Sequence, residues 1–244
     1  MTNDIPDLSG KTALVTGASR GIGRAMALAL AKAGAHVLAL ARTSGGLEEL
    51  DDEIRTAGGS ASLIPMDLLD GDSIEQLAGA LAGRFDKLDI LIANAASLGE
   101  LAPLPDIDPK VWQHTLDLNV TANWRLIRAL DPLLKKSEDA RAIFLTSRVG
   151  GEEVRAFWGV YAVSKAAMDM LAATYAEETA NTNIRVAIID PGSMRTKMRA
   201  QAMPGEDPET LPPPEALAPL LFHALTEKTD GLARYSFRHW KGNA

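Results

Sequence analysis

The sequence predicts an α/β fold built on a doubly wound parallel sheet, and two features of the chain predict it. The first is a set of short apolar runs without in-and-out alternation, which suits strands that are covered on both faces. These runs span residues 11–16, 36–41, 61–66, 88–93, 141–147 and 184–190. The second is that longer segments with the three- and four-residue apolar spacing of amphipathic helices lie between the runs. This alternation predicts right-handed βαβ units and a sheet of six to seven strands in a three-layer α/β/α arrangement.

The helix-like segments follow their strands in chain order. After the first three strands come GIGRAMALALAKAG, GGLEELDDEIRTAGG and DGDSIEQLAGALAGRF. After the fourth and fifth strands come KVWQHTLDLNVTANWRLIRALDPLL and YAVSKAAMDMLAATYAEETAN. Several of these segments end at glycine or asparagine, as helices tend to.

Two less regular features lie near the carboxyl end of the chain. Residues 203–217, MPGEDPETLPPPEAL, are rich in proline and acidic residues. They form either a surface loop that ends in a helix N-terminus or a mobile cover over a site at the strand ends. Residues 232–237, LARYSF, can supply a seventh strand.

The composition predicts a soluble globular protein. The chain has 244 residues, 46% of them apolar, which is enough to bury one sizeable core. A net charge of −7 without a basic run argues against a nucleic-acid partner. The four histidines are scattered, and none has a ligand partner at helical spacing, so we expect no metal site.

The same composition predicts a cytoplasmic location. There is no cysteine, so disulfide and thiolate chemistry are excluded. The N-terminus MTNDIPDLSGK does not resemble a leader peptide. The longest apolar segment is interrupted by Lys32 and Gly34, so we expect no membrane partner.

Three glycines lie between the first strand and the helix after it. Gly17, Gly21 and Gly23 occur in TGASRGIG with the spacing Gly-x-x-x-Gly-x-Gly. At such a junction the backbone turns tightly and approaches a pyrophosphate, whose charge the helix N-terminus favours. The junction therefore predicts a Rossmann-type dinucleotide site. The intervening residues assigned to this site are Ser19, Arg20 and Ile22.

The end of the second strand predicts which nicotinamide cofactor is bound. Where an NAD site usually has an acid for the ribose hydroxyls, this chain has Ala41 followed by Arg42. Arg42 and Arg20 together would match a 2′-phosphate, so we expect NADP(H) to be preferred over NAD(H). The alternative is that both arginines only solvate the surface.

The end of the third strand offers a contact for the adenine ring. Asp67 is placed to accept a hydrogen bond from the adenine amino group, while Leu68 packs nearby. The alternative for Asp67 is an N-cap of the next helix.

Six motifs occur in one order along the chain: TGASRGIG, ANAA, DLNV, LTS, YAVSK and DPGSMRT. Over about residues 11–196 they resemble the short-chain dehydrogenase/reductase family in its compact, single-domain form. The resemblance implies an oxidoreductase that moves a hydride between NADP(H) and a carbonyl or secondary alcohol substrate. It also implies one domain over residues 1–244, with a cofactor half at about 10–95, a catalytic half at about 96–200, and a lid and C-terminal strand at about 196–240.

The resemblance assigns the proton chemistry to Tyr161, which would protonate a carbonyl oxygen or accept a proton from an alcohol. A free tyrosine has a pKa of about 10, and the ammonium of Lys165 one turn away would lower this pKa and bond the nicotinamide ribose. Ser147 would orient the reacting oxygen. Thr146 competes for that role, but strand alternation lets only one of the two face the site. Asn119 in DLNV matches the asparagine that holds a water for the proton relay.

The resemblance places two further segments at the cofactor. In ANAA, Asn94 and the backbone near Ala95 follow the family, while Ala96 stands where glycine is common. The segment after the sixth strand would line the nicotinamide, with the backbone near Met194 facing its carboxamide. The other matching residues of that segment are Pro191, Gly192 and Thr196.

Several alternatives stay open at this point. Trp158 could form an apolar wall beside the tyrosine, while Arg148 and Arg155 either meet a polar group of the substrate or are ordinary solvated residues. The C-terminal region lacks the paired glycines that the family often shows, so a homodimer fits at least as well as a homotetramer. A binding protein that senses NAD(P) without chemistry is one alternative function. An epimerase or dehydratase of the longer relatives is another.

Overall fold

The computed structural model describes residues 5–229 and 231–240. Its strands are β1 (Thr12–Thr16), β2 (His36–Ala41), β3 (Ser60–Pro65), β4 (Ile90–Ala93), β5 (Ala140–Leu145), β6 (Ile184–Asp190) and β7 (Ala233–Ser236). They form one parallel sheet in the order β3-β2-β1-β4-β5-β6-β7. The order reverses between β1 and β4, which is where open α/β sheets bind ligands at their carboxyl edge. The predicted fold class is confirmed.

Helices cover both faces of this sheet. They are α1 (Gly21–Lys32), α2 (Ser44–Thr56), α3 (Gly71–Ala82), α4 (Pro109–Leu116), α5 (Ala122–Leu134), α6 (Gly159–Glu178), α7 (Lys197–Ala202) and α8 (Ala218–Thr226). Buried side chains of α1, α2 and α8 pack in one apolar cluster, and those of α3, α5 and α6 pack in another. Within the described part of the chain, no helix is both long enough and apolar enough to cross a membrane.

The central strands β1 and β4 are buried along their whole length because each faces an apolar layer on both sides, whereas the edge strand β3 is only partly buried. In β1, Val15 packs in the cluster of α1 and α2, while its neighbour Leu14 packs in the cluster of α3 and α5. Both side chains are fully buried. Burial of one such side chain stabilises the fold by roughly 1.5–3 kcal/mol. The missing alternation in the sequence is therefore a direct consequence of the three layers.

The fourth helix-like segment is not a regular helix. Between α4 and α5 the chain forms a π-helical turn at Asp117–Thr121, and Asn119 lies at its centre. Single π-helical turns inside longer helices are often found at functional sites. The turn brings Asn119 into the interior, where its side chain is fully buried.

The region after β6 contains helical turns that the sequence did not predict. The short helix α7 begins directly after the nicotinamide-lining motif, and single 3₁₀ turns follow at Pro208–Thr210 and Pro214–Leu217. The second turn leads into α8, and Leu217 is fully buried. The proline-rich segment thus ends in a helix N-terminus, as one of the two interpretations stated. The predicted seventh strand is confirmed as β7, parallel to β6.

Asp89, just before β4, anchors the edge of the sheet opposite the carboxyl ends of the strands. Its carboxylate accepts hydrogen bonds from the Ser137 hydroxyl at 2.7 Å and the Thr12 backbone N–H at 3.0 Å. The ammonium groups of Lys11 and Lys87 lie 3.3 Å and 3.2 Å away. Burial opposes the ionisation of Asp89, but the hydrogen bonds and lysine charges outweigh burial and lower its pKa.

Candidate active site

The glycine turn lies at the carboxyl edge of the sheet, between β1 and α1. Gly17 and Gly21 have φ angles of +67° and +56°, in the left-handed region that glycine adopts without strain. Gly23 is in the first turn of α1, where a Cβ atom would lie 2.4 Å from the Gly17 carbonyl oxygen. The backbone therefore requires glycine at these positions, and α1 packs as closely on the turn as a dinucleotide site needs.

Thr16 ties the end of β1 to the segment after β4. Its hydroxyl donates to the Ile92 carbonyl at 3.3 Å and accepts from the backbone N–H groups of Asn94 and Ala95, at 2.9 Å and 3.0 Å. The side-chain amide of Asn94 donates to the Thr16 carbonyl at 2.8 Å. Asn94 and Ala95 therefore lie beside the glycine turn. The threonine that holds them there was not identified from the sequence.

The N-terminus of α1 can hold a phosphate. Arg20, the N-cap, is extended and its side chain makes no capping hydrogen bond, whereas Asp70 and Asp108 cap α3 and α4. The first N–H groups of α1 thus have no side-chain acceptor, and a helix N-terminus favours an anion at such a place. The Thr196 methyl group lies 3.5 Å from the position that a Cβ on Gly21 would take, so the segment after β6 borders the same turn. These residues fit a pyrophosphate.

Two other residues assigned to the cofactor also border this turn. Ser19 lies against α2, because a Cβ on Gly46 would be 3.0 Å from the Ser19 Cβ. Ile22 lines a cavity whose other walls include Met194 and Thr196. The cofactor half and the segment after β6 therefore meet at the turn.

Arg42 and Arg20 are both at the surface on the cofactor side. The Arg42 side chain is 59% exposed, and its Nη1 lies 4.0 Å from Asp67 Oδ2. Arg20 is exposed and forms no ion pair with any residue that the structure describes. Both guanidinium groups are therefore accessible to an anion, although Arg42 already has a weak carboxylate neighbour.

The N-cap alternative for Asp67 is wrong. Asp70 caps α3, accepting from the backbone N–H groups of Asp72 and Ser73, both at 3.2 Å. Asp67 instead accepts from the backbone N–H of Leu69 at 3.1 Å, in the turn that precedes the helix. Its other oxygen faces Arg42, and Leu68 beside it is buried.

Tyr161 lies in the first turn of α6 and faces the carboxyl end of β5. Its side chain is almost wholly buried, and the Ser147 side chain forms a hydrogen bond with it. Thr146 points elsewhere, since its hydroxyl donates to the carboxylate of Asp169. Thr146 and Ser147 both line the cavity that contains Tyr161, but the Thr146 hydroxyl is engaged with Asp169, so Ser147 is the one whose side chain interacts with the tyrosine.

Lys165 lies one helical turn after Tyr161 and is also buried. Its ammonium donates to the Leu145 carbonyl at 2.6 Å and lies 5.7 Å from the centroid of the tyrosine ring. Burial lowers the pKa of Lys165 to about 8, and the nearby Asp169 carboxylate opposes this effect. A lysine with this pKa is still mostly charged at neutral pH.

The expectation that the lysine lowers the tyrosine pKa is not met in the structure. Burial raises the pKa of Tyr161 to about 12. The hydrogen bond with Ser147 lowers this pKa, and the charge of Asp190 raises it further. The reason is that the apolar walls around the hydroxyl disfavour a phenolate more than the polar neighbours favour it. The tyrosine is therefore a proton donor in this state.

Asn119 fixes the position of two other segments. Its amide nitrogen donates to the Ser97 carbonyl at 2.9 Å and to the Ser164 hydroxyl at 2.8 Å, and its amide oxygen accepts from Ser97 N–H at 2.8 Å. The Ser164 hydroxyl in turn donates to the Tyr161 carbonyl at 2.7 Å. Both amide hydrogens of Asn119 are thus committed to protein groups. A water could therefore bind Asn119 only by donating a hydrogen bond to one of its oxygen atoms.

The segment after β6 is held by Asp190. Its carboxylate accepts from the Gly192 N–H at 3.0 Å, and Gly192 has a φ angle of +67°. Pro191 and Met194 are buried, and both line the cavity that contains Tyr161. Thr196 ends the segment by capping α7, accepting from the Arg199 N–H at 3.1 Å.

An apolar wall surrounds the tyrosine. The Trp158 ring meets the Tyr161 ring edge-on, with 6.0 Å between centroids. Trp158 is fixed by an isolated bridge between its backbone and that of Ala102. The preceding residue, Phe157, has a φ angle of +72°, which is strained for an aromatic residue. The other apolar residues of this wall are Leu98, Leu101, Met198, Ala202 and Met203.

The arginines near the cavity are paired with carboxylates. Arg155 Nε lies 2.5 Å from Glu153, and Arg148 lies 3.6 Å from Glu153 and 3.7 Å from Asp190. Arg199 forms a two-pronged pair with Glu206 at 2.6 Å and 2.7 Å. These side chains are therefore neither free binding groups nor ordinary solvated residues, and their charges largely cancel.

Comparison with known proteins assigns the family. The family model described as short chain dehydrogenase matches residues 11–207. The chain belongs to the short-chain dehydrogenase family. The Escherichia coli K12 protein described as the uncharacterized oxidoreductase YciK is 39% identical over 216 residues, which are 87% of this chain and 85% of that protein.

Solved structures agree with this membership. A short chain dehydrogenase from Shigella flexneri, complexed with NADP, is 35% identical with a TM-score of 0.91, and the match covers 96% of this chain and 99% of that one. One from Escherichia coli CFT073, complexed with NADPH, is 36% identical with a TM-score of 0.89, covering 96% and 98%. The protein is thus a short-chain oxidoreductase with a Rossmann-type fold.

Four polar residues of this short-chain dehydrogenase were missed by sequence reasoning. Thr16 and Asp190 directly precede motif glycine or proline residues at strand ends, which is the signal that could have revealed them. Ser164 is inside YAVSK and Asp169 is one turn beyond it, so helical spacing would have placed both near the site. Their partners come from distant parts of the chain.

Proposed function

We propose that this protein is an NADP(H)-dependent oxidoreductase that transfers a hydride between the nicotinamide and a carbonyl or secondary alcohol substrate. The observation that carries the proposal is the buried Tyr161 hydroxyl, hydrogen-bonded with Ser147 and followed one turn later by the buried Lys165. These groups lie at the same sheet edge as the glycine turn. The bound nicotinamide would supply the hydride chemistry.

The catalytic half, about residues 96–200, would handle the substrate oxygen. In reduction Tyr161 gives its proton to the carbonyl oxygen, and Ser147 donates a hydrogen bond to the same oxygen. The raised pKa of Tyr161 keeps the proton on the tyrosine until that oxygen gains negative charge. Lys165 would bond the nicotinamide ribose and stabilise the phenolate that remains, while Asn119 holds α6 in register through Ser164.

The cofactor half, about residues 10–95, would hold the dinucleotide. The uncapped N-terminus of α1 and the glycine turn supply backbone N–H groups for the pyrophosphate. The adenine would lie beside Asp67 and Leu68, and the nicotinamide beside the segment after β6. The residues assigned to the cofactor are Gly17, Ser19, Arg20, Gly21, Ile22, Gly23, Arg42, Asp67, Leu68, Asn94, Ala95, Tyr161, Lys165, Pro191, Gly192, Met194 and Thr196.

Preference for NADP(H) would depend on Arg42 and Arg20. Both are accessible, and solved relatives hold NADP and NADPH. We expect Arg42→Ala to lower kcat/KM for NADPH by about tenfold, the loss of one charge-assisted contact, and to leave NADH almost unchanged. Arg84→Ala, at an exposed arginine near Phe85, is the control. Equal kcat/KM for the two cofactors in the parent protein would contradict the preference.

The wall around Tyr161 favours a carbonyl compound with apolar or aromatic substituents. Trp158, Leu98 and Met198 would contact the substituent, and the neighbouring arginines are already neutralised by carboxylates. An anionic substrate would have to break one of these pairs. In a panel of ketones, aldehydes and quinones, matched pairs with and without a carboxylate should show higher kcat/KM for the neutral member.

The central test is Tyr161→Phe. Loss of the proton donor should lower kcat by about a thousandfold, while NADPH affinity, measured by fluorescence titration, stays the same. Tyr235→Phe removes a hydroxyl that bonds Glu227 at 2.8 Å, away from the site, and should keep full activity. Full activity in Tyr161→Phe would overturn the proposal. If the parent protein binds NADPH but turns over no member of the panel, the cofactor-sensing alternative takes its place.

We further propose that the chain assembles as a homodimer or homotetramer. Trp124 on α5 and Val163 and Met170 on α6 expose 46%, 44% and 68% of their surface, and a subunit contact would cover such apolar side chains. Light scattering after size exclusion measures the mass directly. Trp124→Lys combined with Met170→Glu should lower that mass, and a monomeric parent protein would contradict the proposal.

A further inference from the structure

Asp169 is a partly buried carboxylate that the reaction described above does not use. It lies on α6, one helical turn after Lys165, and its side chain is 18% exposed. One oxygen accepts a hydrogen bond from Thr146 at the end of β5. The other lies 3.5 Å from the Arg234 guanidinium on β7. Three separate elements therefore fix this carboxylate next to the lysine.

Within the described part of the chain, the ionisable groups of α6 near Lys165 are Tyr161 and Asp169. The carboxyl end of β6 contributes Asp190, whose charge acts on Tyr161. The turn after β5 contributes Arg148, which is compensated by Glu153. The charged residues at the other ends of the packed strands are engaged elsewhere, since Arg141 and Arg185 donate to the carbonyls of Glu227 and Thr182. The charged side chains of α4 and the π-helical turn, Lys110, His114 and Asp117, line a separate cavity beside Leu68.

We propose that Asp169 is a positioning residue that keeps Lys165 charged, and that Thr146 and Arg234 set how strongly it does so. Among the residues that the structure describes, the buried ammonium donates a hydrogen bond to one acceptor, the Leu145 carbonyl. Burial alone would favour the neutral amine. A carboxylate one turn away on the same helix favours the ammonium instead. Asp169 does not line the cavity around Tyr161, so in the proposed function it would act on the tyrosine only through the charge of Lys165.

The arrangement predicts opposite effects for two variants. Asp169→Asn removes the negative charge but keeps the shape and the acceptor for Thr146, so the pKa of Lys165 should fall. Arg234→Ala removes a cation that shares the carboxylate, so the pKa of Lys165 should rise. A purely structural role would damage both variants in the same direction. Arg234 is 56% exposed, so its replacement is compatible with folding.

The first experiment measures Lys165 directly in the cofactor-free protein. Lysine labelled with carbon-13 at Cε is titrated by NMR, and the Lys165 signal is assigned from its loss in Lys165→Met. The parent protein should titrate near a pKa of about 8. We expect a shift of about one unit to lower pH in Asp169→Asn and a smaller shift to higher pH in Arg234→Ala. An unchanged titration in Asp169→Asn, or shifts of the same sign in both variants, would overturn the inference.

The second experiment rests on the proposed function and measures the pH profile of kcat/KM with NADPH. The alkaline limb should move to lower pH in Asp169→Asn and to higher pH in Arg234→Ala, while activity near pH 6 changes little in either. A uniform loss at all pH values in Asp169→Asn would contradict the role. If no carbonyl compound is reduced, the proposed function fails, and the NMR titration still tests Asp169 by itself.

Discussion

The glycine turn and the helix α6 border the same sheet edge but are built in different ways. The glycine turn is formed by backbone groups. Gly17 and Gly21 have positive φ angles, and α1 begins without a side-chain cap. At α6 the site is formed by buried polar side chains. Ser164 and Lys165 on α6, and Asn119 on the π-helical turn, each make a hydrogen bond within the protein. The backbone N–H groups at the start of α1 have no side-chain acceptor, whereas the polar side chains of α6 are hydrogen-bonded within the protein.

This difference teaches how each region fails. The glycine turn has no space for side-chain atoms, so adding a methyl group there should destabilise it more than removing a group would. The network around α6 depends on the presence of partners, so a removed group should damage it, and its protonation states should respond to pH. Four predictions test this contrast, beginning with the largest effect.

The largest effect is expected for Gly23→Ala. The new Cβ would lie 2.4 Å from the Gly17 carbonyl oxygen and 2.5 Å from the Asn94 amide nitrogen, so backbone must move. We expect a loss of about 3 kcal/mol in the free energy of unfolding and the loss of measurable NADPH binding. Gly79→Ala is the matched control, because Gly79 is also helical and has no atom within 4 Å of an added Cβ. It should stabilise α3 by about 0.5–1 kcal/mol. Intact NADPH affinity in Gly23→Ala would show that the turn tolerates side-chain atoms.

Asn119→Ala should have the second-largest effect on stability. It leaves the Ser97 backbone groups and the Ser164 hydroxyl without their amide partner in a buried site. We expect about 2–3 kcal/mol of destabilisation in urea unfolding, together with a lower kcat. Asn181→Ala, at an exposed position, should change neither quantity. A wild-type urea midpoint in Asn119→Ala would mean that the network adds no stability.

The third prediction is a pH dependence of stability. The folded pKa of Lys165 is about 8, below its ordinary value, so between these two values the unfolded state binds more protons. Stability should therefore rise with pH in this window, by about 2 kcal/mol between pH 7.5 and 9.5. Lys165→Met, which cannot titrate, should lack this rise. Parallel stability curves for the two proteins in thermal or urea unfolding would contradict the prediction.

The smallest effect is expected for Phe157→Gly. The positive φ angle of Phe157 is unfavourable for an aromatic residue but not for glycine, and the side chain is 58% exposed. We expect a gain of about 1 kcal/mol in the free energy of unfolding. If stability falls instead, the Phe157 side chain contributes packing that its exposure does not reveal. Ala156→Gly, at the exposed neighbour without a positive φ angle, is the control and should lose stability.

The sheet could be predicted because burial on both faces leaves a mark in the local sequence. Leu14 and Val15 face opposite layers, yet both must be apolar. The π-helical turn could not be predicted in the same way, since the apolar spacing around Asn119 is compatible with an unbroken helix. The choice between Asp67 and Asp70 as N-cap depends on where the helix begins, and both acids precede it.

Motifs predict which residues form the candidate site, but they do not predict the electrostatics of that site. Burial raises the pKa of Tyr161, and the apolar residues that pack with this tyrosine include Leu98 and Met198, which are distant from it in the sequence. Arg148 and Arg155 are neutralised by acids whose proximity only the folded loop creates. Asp169 was visible at helical spacing from Lys165, but its other partners are on β5 and β7. Sequence spacing predicts which residues are neighbours along one helix. Burial and charge pairing depend on residues from other parts of the chain, which only the folded structure brings together.

Asp89 makes the stability of the fold sensitive to acid at a position far from the candidate active site. Its lowered pKa means that its stabilising charge is fully present above the ordinary aspartate range and is lost as pH falls through the folded value. Acid would therefore loosen β1 and β4 from their amino ends, at the edge opposite the glycine turn. Asp89 and its lysines lie apart from the cavity around Tyr161. The acid tolerance of the fold can therefore be changed without altering that cavity.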